Sequence, residues 1–135
     1  MRERKTSWHG NAGCTALFVP GRAGLPFISF GVLSLNSGAS YTIKTGNREY
    51  AVVFLSGSAA VSVGSSTFLN VGSRASVFDG RAHAVYAPRR TDVVVTADTP
   101  VIAAVASAPA ARAGKPREVV SGENRLRCVG GDNWY

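Results

Sequence analysis

The sequence predicts an all-β domain, and three observations carry that reading. Valine outnumbers leucine by 17 to 7, and β-branched side chains pack best on a pleated surface. The 15 glycines and 6 prolines fall mostly between apolar runs rather than inside them. These turn signals recur every roughly 8–12 residues, the spacing of a sandwich or barrel, and no window carries an i, i+3, i+4, i+7 apolar stripe. A chain of 135 residues holds one domain and is long enough to bury a real core.

The strands follow in order. Cys14 to Val19 is a short apolar run ended by Pro20-Gly21. Phe27 to Leu35 partly alternates and stops at Asn36-Ser37-Gly38. Tyr41 to Lys44 is brief and closes at Thr45-Gly46-Asn47. Tyr50 to Leu55 is continuously apolar, as a strand buried on both faces would be. Ala60 to Val63 and Thr67 to Val71 flank the short turn Gly64-Ser65-Ser66. Arg74 to Phe78 reads as a further strand, closed by Asp79-Gly80. His83 to Ala87, Asp92 to Ala97 and Val101 to Ala106 complete the series, with short returns expected at Arg117 to Val120 and Leu126 to Val129. The alanine-rich stretch Ala103 to Ala113 contains Pro109, so it reads as a strand followed by a loop. The chain therefore divides into a tail (1–12), a barrel (13–110), and a linker with the start of a connection (111–135). The closing Trp134-Tyr135 pair either tucks back onto the sandwich or begins the next strand of a longer protein.

The net charge is +7, which favours acidic partners in general. The charge is scattered, without a basic stripe interleaved with aromatics, so neither nucleic acid nor a membrane is expected as partner. Two cysteines, Cys14 and Cys128, are not a disulfide framework. They read as buried thiols, and the absence of a signal-peptide core and of a long apolar run points to the cytoplasm. Trp8 and His9 lie in a tail free to dock on the sheet or on a partner. Arg48 and Glu49 read as a surface ion pair, and Arg89-Arg90 as a solvated turn.

Motifs for catalysis are scarce. There is no C-x-x-C, H-x-H, H-E-x-x-H, G-x-S-x-G or phosphate loop. The histidines are His9 and His83 alone, and the carboxylates are dispersed, so no local pair suits acid–base work. Two glycine-bounded segments are more informative, Gly38 to Gly57 and Gly72 through Gly80 to His83. They resemble the two cupin motifs, which implies a single-domain double-stranded β-helix, or jelly roll. The positions where cupins place the first-motif histidines and glutamate hold Lys44, Gly46 and Tyr50. In the second motif His83 matches, while Phe78 and Ala87 replace the usual proline and asparagine. One imidazole does not hold a divalent ion, so no metal is expected in this chain.

The resemblance narrows with V-P-G-R-A-G from Val19, F-G-V-L-S-L-N-S-G-A-S from Phe30, T-G-N-R-E from Thr45, L-S-G-S-A-A-V from Leu55 and R-A-S-V-F-D-G from Arg74. V-Y-A-P from Val85 and A-S-A-P from Ala106 follow in order. Together they resemble the N-terminal half of the 5-deoxy-glucuronate isomerase family of myo-inositol catabolism, a bicupin whose metal belongs to its C-terminal cupin. The resemblance implies an intramolecular oxidoreductase, interconverting 5-deoxy-D-glucuronate and 5-dehydro-2-deoxy-D-gluconate, of which this half alone is expected to be inactive. The implied partners are a small sugar acid and either further copies of the chain or a second cupin. No catalytic residue is assigned. His83, Lys44 and Tyr50 are the ligand-binding candidates. His83 is expected to pack as a neutral histidine in the barrel mouth. Lys44 and Tyr50 are expected to fill the vacated cavity, with anion binding there as the other reading. The alternative to the isomerase is a metal-free cupin that binds a sugar acid or serves as a scaffold.

Overall fold

A computed structural model describes residues 7–21 and 24–125. Among these residues ten strands make two antiparallel sheets, and one short 3-10 turn follows them. The strands are β1 (Gly13–Phe18), β2 (Ser29–Leu35), β3 (Ser40–Lys44), β4 (Arg48–Ser56), β5 (Ser58–Val63), β6 (Ser66–Gly72), β7 (His83–Ala87), β8 (Asp92–Ala97), β9 (Val101–Pro109) and β10 (Arg117–Val119). One sheet runs β1-β2-β9-β4-β7-β10 and the other β3-β8-β5-β6. The chain passes repeatedly between sheets, which places strands distant in sequence side by side: Tyr50 of β4 faces Ser107 of β9 on one side and Ala87 of β7 on the other.

Period-2 patterning builds the core. Ala59, Val61 and Val63 of β5, Val93, Val95 and Ala97 of β8, and Val101, Ala103 and Val105 of β9 are buried, with less buried residues between them. Alternate side chains of a strand leave opposite faces, so each strand gives the core one row. Leu33, Val52, Phe54, Val71 and Val85 fill the space between the rows. In β4, read from its sequence as buried on both faces, only the inward Val52 and Phe54 are buried, while Ala51, Val53 and Leu55 are half-buried. The outer surface of the six-stranded sheet is thus apolar and, among the described residues, only partly covered.

The four glycines of the two motif segments, Gly38, Gly57, Gly72 and Gly80, all have positive φ. At two of them the need for glycine is also spatial. A Cβ on Gly57 would collide with the Pro100 carbonyl, and one on Gly72 with the Gly57 carbonyl. The backbones of these neighbouring crossings pass too closely for any side chain.

The strand expected at Arg74 to Phe78 is a loop. Arg74 is half-buried, and its guanidinium donates to the carbonyls of Phe54, Val77 and Gly80. Ser76 Oγ donates to Asp79 Oδ2 across a tight turn. This polar scaffold curls residues 74–80 and leaves Phe78 92% exposed. β10 falls within the expected linker span and pairs with β7. The strand expected at 126–129, Cys128 and the terminal Trp134-Tyr135 pair lie outside the described residues. Trp8 is half-buried and His9 exposed. Among the described residues no helix is long and apolar enough to cross a membrane.

Candidate functional site

The three candidate residues do not meet. Tyr50 and His83 lie at opposite ends of the β4–β7 ladder, where Tyr50 is paired with Ala87 and Phe54 with His83. Four strand residues separate the ends by about 13 Å. Lys44 and Tyr50 instead share a cavity of about 320 Å3 bounded by β1, β2 and β3, with Cys14, Ser29, Gly31 and Tyr41 also in its wall. Lys44 is exposed and Tyr50 half-buried, so together they leave that space open.

The β3 edge contributes main-chain groups to this cavity. Ala97 N–H donates to the Ala39 carbonyl and Thr45 N–H to the Thr91 carbonyl. In this antiparallel register, Tyr41 and Ile43 therefore turn their peptide groups toward β8. The peptide groups of Thr42 and Lys44 face the open edge, where both residues line the cavity. Among the described residues no side-chain hydrogen bond engages Ser29, Tyr41, Lys44 or Tyr50. Asp92 stands opposite Lys44 across the ladder, and Lys44 makes no ion pair among the described residues. Burial pushes the Cys14 thiol pKa up, so the sulfur stays protonated at neutral pH.

His83 belongs to a closed arrangement. Gly72 N–H donates to Nδ1 at 3.0 Å, and Nε2 lies 2.8 Å from Glu118 Oε1 on β10. A nitrogen that accepts from a peptide N–H carries no proton, so the ring is the neutral Nε2–H tautomer and donates to Glu118. Both ring nitrogens are thus used by the fold. Nearby, Arg81 donates to the Asn124 carbonyl and Asn124 Nδ2 to the Ala82 carbonyl, tying the 118–124 segment to the loop before β7.

A divalent metal would not fit at these positions. Lys44 brings a cation, Gly46 no side chain, and Tyr50 a phenol, while His83 is remote and fully hydrogen-bonded. Among the described residues no group of three or more His, Cys, Asp or Glu side chains is gathered as a metal site would require.

Two arginine readings change with the structure. Arg48 does not pair with Glu49, because successive strand residues leave opposite faces. Arg48 donates to Ser107 Oγ, the Ser107 carbonyl and the Phe27 carbonyl. Glu49 accepts from Tyr86 Oη at 2.8 Å, beside a shallow outer cavity of about 260 Å3 walled by Ile28, Ala51, Ala106 and Ala108. That hydrogen bond, helped by burial and the Glu49 charge, raises the Tyr86 pKa. Arg90 is exposed, but Arg89 is half-buried with its Nε buried and without a partner among the described residues, so only half of the pair is solvated. Sequence reasoning missed the Glu118 partner of His83 and the open β3 edge, since both depend on register between strands far apart in the chain.

The comparisons agree with this architecture. A cupin protein from Bacteroides fragilis superposes over 95% of this chain and 100% of its own with a TM-score of 0.58 at 10% identity, which supports the cupin fold alone. An IolB-like protein from Salmonella typhimurium LT2 is 33% identical with a TM-score of 0.78, over 84% of this chain and 43% of that one. The 5-deoxy-glucuronate isomerase of Bacillus subtilis strain 168 is 42% identical over 55 residues, which is 41% of this chain and 20% of that protein. The matched part therefore spans a fifth of the Bacillus protein and less than half of the Salmonella chain. A model of the KduI/IolB family matches residues 2–135; the fold is a cupin, and the chain belongs to the KduI/IolB family.

Proposed function

We propose that this chain is the metal-free, N-terminal-type cupin half of a 5-deoxy-glucuronate isomerase, converting 5-deoxy-D-glucuronate to 5-dehydro-2-deoxy-D-gluconate in inositol catabolism in the cytoplasm. The observation that carries the reading is a family match along the chain combined with motif positions that cannot chelate. Moving a proton between adjacent carbons of a sugar acid needs a base and a polarised carbonyl. A divalent metal in the other cupin would supply the polarisation, and this half would supply packing. The half-buried side chains of Ala51, Val53, Ala84, Ala104 and Ala106 give the six-stranded sheet an apolar outer face, on which a second cupin or a second copy would pack.

The test is a chimera in which this chain replaces the matched part of the Salmonella IolB-like protein, assayed by NMR on 5-deoxy-D-glucuronate. We expect turnover from the chimera and none from this chain alone with added Mn, Fe or Zn. A folded chimera without turnover would count against the isomerase assignment. Turnover by the isolated chain would overturn the division of labour. The β3 cavity favours a second reading, a cupin that binds a sugar acid without transforming it.

A further inference from the structure

We propose that a second copy of this chain docks on the outer face of the six-stranded sheet, across a twofold axis close to Tyr86 that sets Glu49 of each copy against Arg112 and Lys115 of the other. The proposal rests on the reading of that face as an interface. The isomerase chemistry does not enter it and is tested separately by the chimera.

Charge selects the occupant. Glu49 is half-buried in an otherwise apolar setting, opposite Ala108 of β9 and next on its face to Ala51, which pairs with Ala106 and Tyr86. Its Oε2 accepts from Tyr86 Oη, and among the described residues it makes no ion pair. Water can still reach this carboxylate. A partner that covers the face removes that water, and a carboxylate buried without a counter-charge is strongly unfavourable. The partner must therefore bring a cation, and this chain carries two on the adjoining segment. Residues 110–116 lead from β9 to β10 past Tyr86, where a Cβ on Gly114 would lie 3.0 Å from the Tyr86 hydroxyl. Arg112 and Lys115 stand on either side of Gly114, are exposed, and make no ion pair among the described residues. The face thus holds both signs of charge with Tyr86 between them. A twofold rotation about that point exchanges the two sides, so one patch is its own complement. Ala51 and Ala84 near the axis are small and half-buried, which lets two sheets approach closely. A second cupin is the competing occupant of the face. It would bring cations of its own and leave Arg112 and Lys115 without a role.

The test is sedimentation equilibrium on the full chain. We expect a reversible dimer with a dissociation constant of roughly 1–100 μM, weakened about tenfold by high salt. Glu49→Arg should weaken it by about tenfold or more, and so should the double variant Arg112→Glu, Lys115→Glu. Mixed in equal amounts, the two variants should form a heterodimer at close to the native affinity, because both reciprocal pairs return with their signs exchanged. Circular dichroism and the unfolding temperature check that each variant is folded. Glu49→Gln and the double variant Arg112→Gln, Lys115→Gln give the same comparison, with smaller losses, if a charge reversal disturbs the fold. Amide exchange should slow on dimerisation at Ala51, Ala84 and Tyr86. A chain still monomeric at about 1 mM would overturn the proposal. So would a dimer indifferent to both reversals, reversed variants that fail to associate on mixing, or protection confined to another face. A dimer lost in Glu49→Arg but kept by the Arg112, Lys115 double variant would overturn the pairing and place the cation on another segment.

Discussion

The two ends of the β4–β7 ladder resolve the same problem in opposite ways. At the Phe54–His83 end, polar groups are consumed by the fold: His83 accepts a hydrogen bond from Gly72 N–H and donates one to Glu118, and Arg74 is spent on three carbonyls. At the Tyr50–Ala87 end, Lys44, Tyr41, Tyr50 and the β3 peptide groups surround an open volume without side-chain partners among the described residues. A buried donor or acceptor left unpaired costs about 1–3 kcal/mol, so the closed end uses hydrogen bonds for stability. The open end stays close to water and keeps its groups available. Substitutions should separate accordingly, in stability at one end and in ligand binding at the other.

The sharpest break is Gly72→Ala. It combines a left-handed φ with a collision against the Gly57 carbonyl and should cost about 3 kcal/mol, read as a fall of roughly 10 °C in Tm. Arg74→Met should follow at about 2 kcal/mol, with faster amide exchange confined to residues 74–82 and the end of β4. His83→Phe keeps the ring but leaves the Gly72 N–H without an acceptor, and should cost about 1–2 kcal/mol by urea unfolding. Tyr50→Phe at the open end should change stability by less than about 0.5 kcal/mol. If Tyr50→Phe destabilises as much as His83→Phe, the contrast between the ends fails.

A pH titration sharpens the contrast on the outer surface. Tyr86 has a raised pKa because the folded chain holds its phenol proton against Glu49. Its contribution to stability is present below the ordinary tyrosine pKa and is lost as pH climbs through the raised folded value. Absorbance titration should show the alkaline step of one tyrosine move toward the ordinary range in Glu49→Gln.

Much of the architecture was legible because it is periodic. The β7 and β8 bounds coincide with the apolar runs His83 to Ala87 and Asp92 to Ala97, where alternation and flanking turn residues agree. Arg74 to Phe78 misled because Val77 and Phe78 look like strand residues, whereas long-range bonds from Arg74 to Phe54 impose a loop. The Arg48-Glu49 pairing failed on the alternation of side chains along a strand. Lys44 and Tyr50 were picked out as replaced ligands, and the structure places both at one cavity. Their distance from His83 could not be read, because it is set by the Phe54↔His83 register.

That register also governs what it would take to reinstate chelation. Writing histidine at 44 and 46 and glutamate at 50 would leave residue 83 a bystander about four residues along the ladder. The missing donor would have to come from position 87, where Ala87 now sits buried directly across from Tyr50. Restoring an ion cage here is a matter of which rungs align, and the histidine already present stands on the wrong rung.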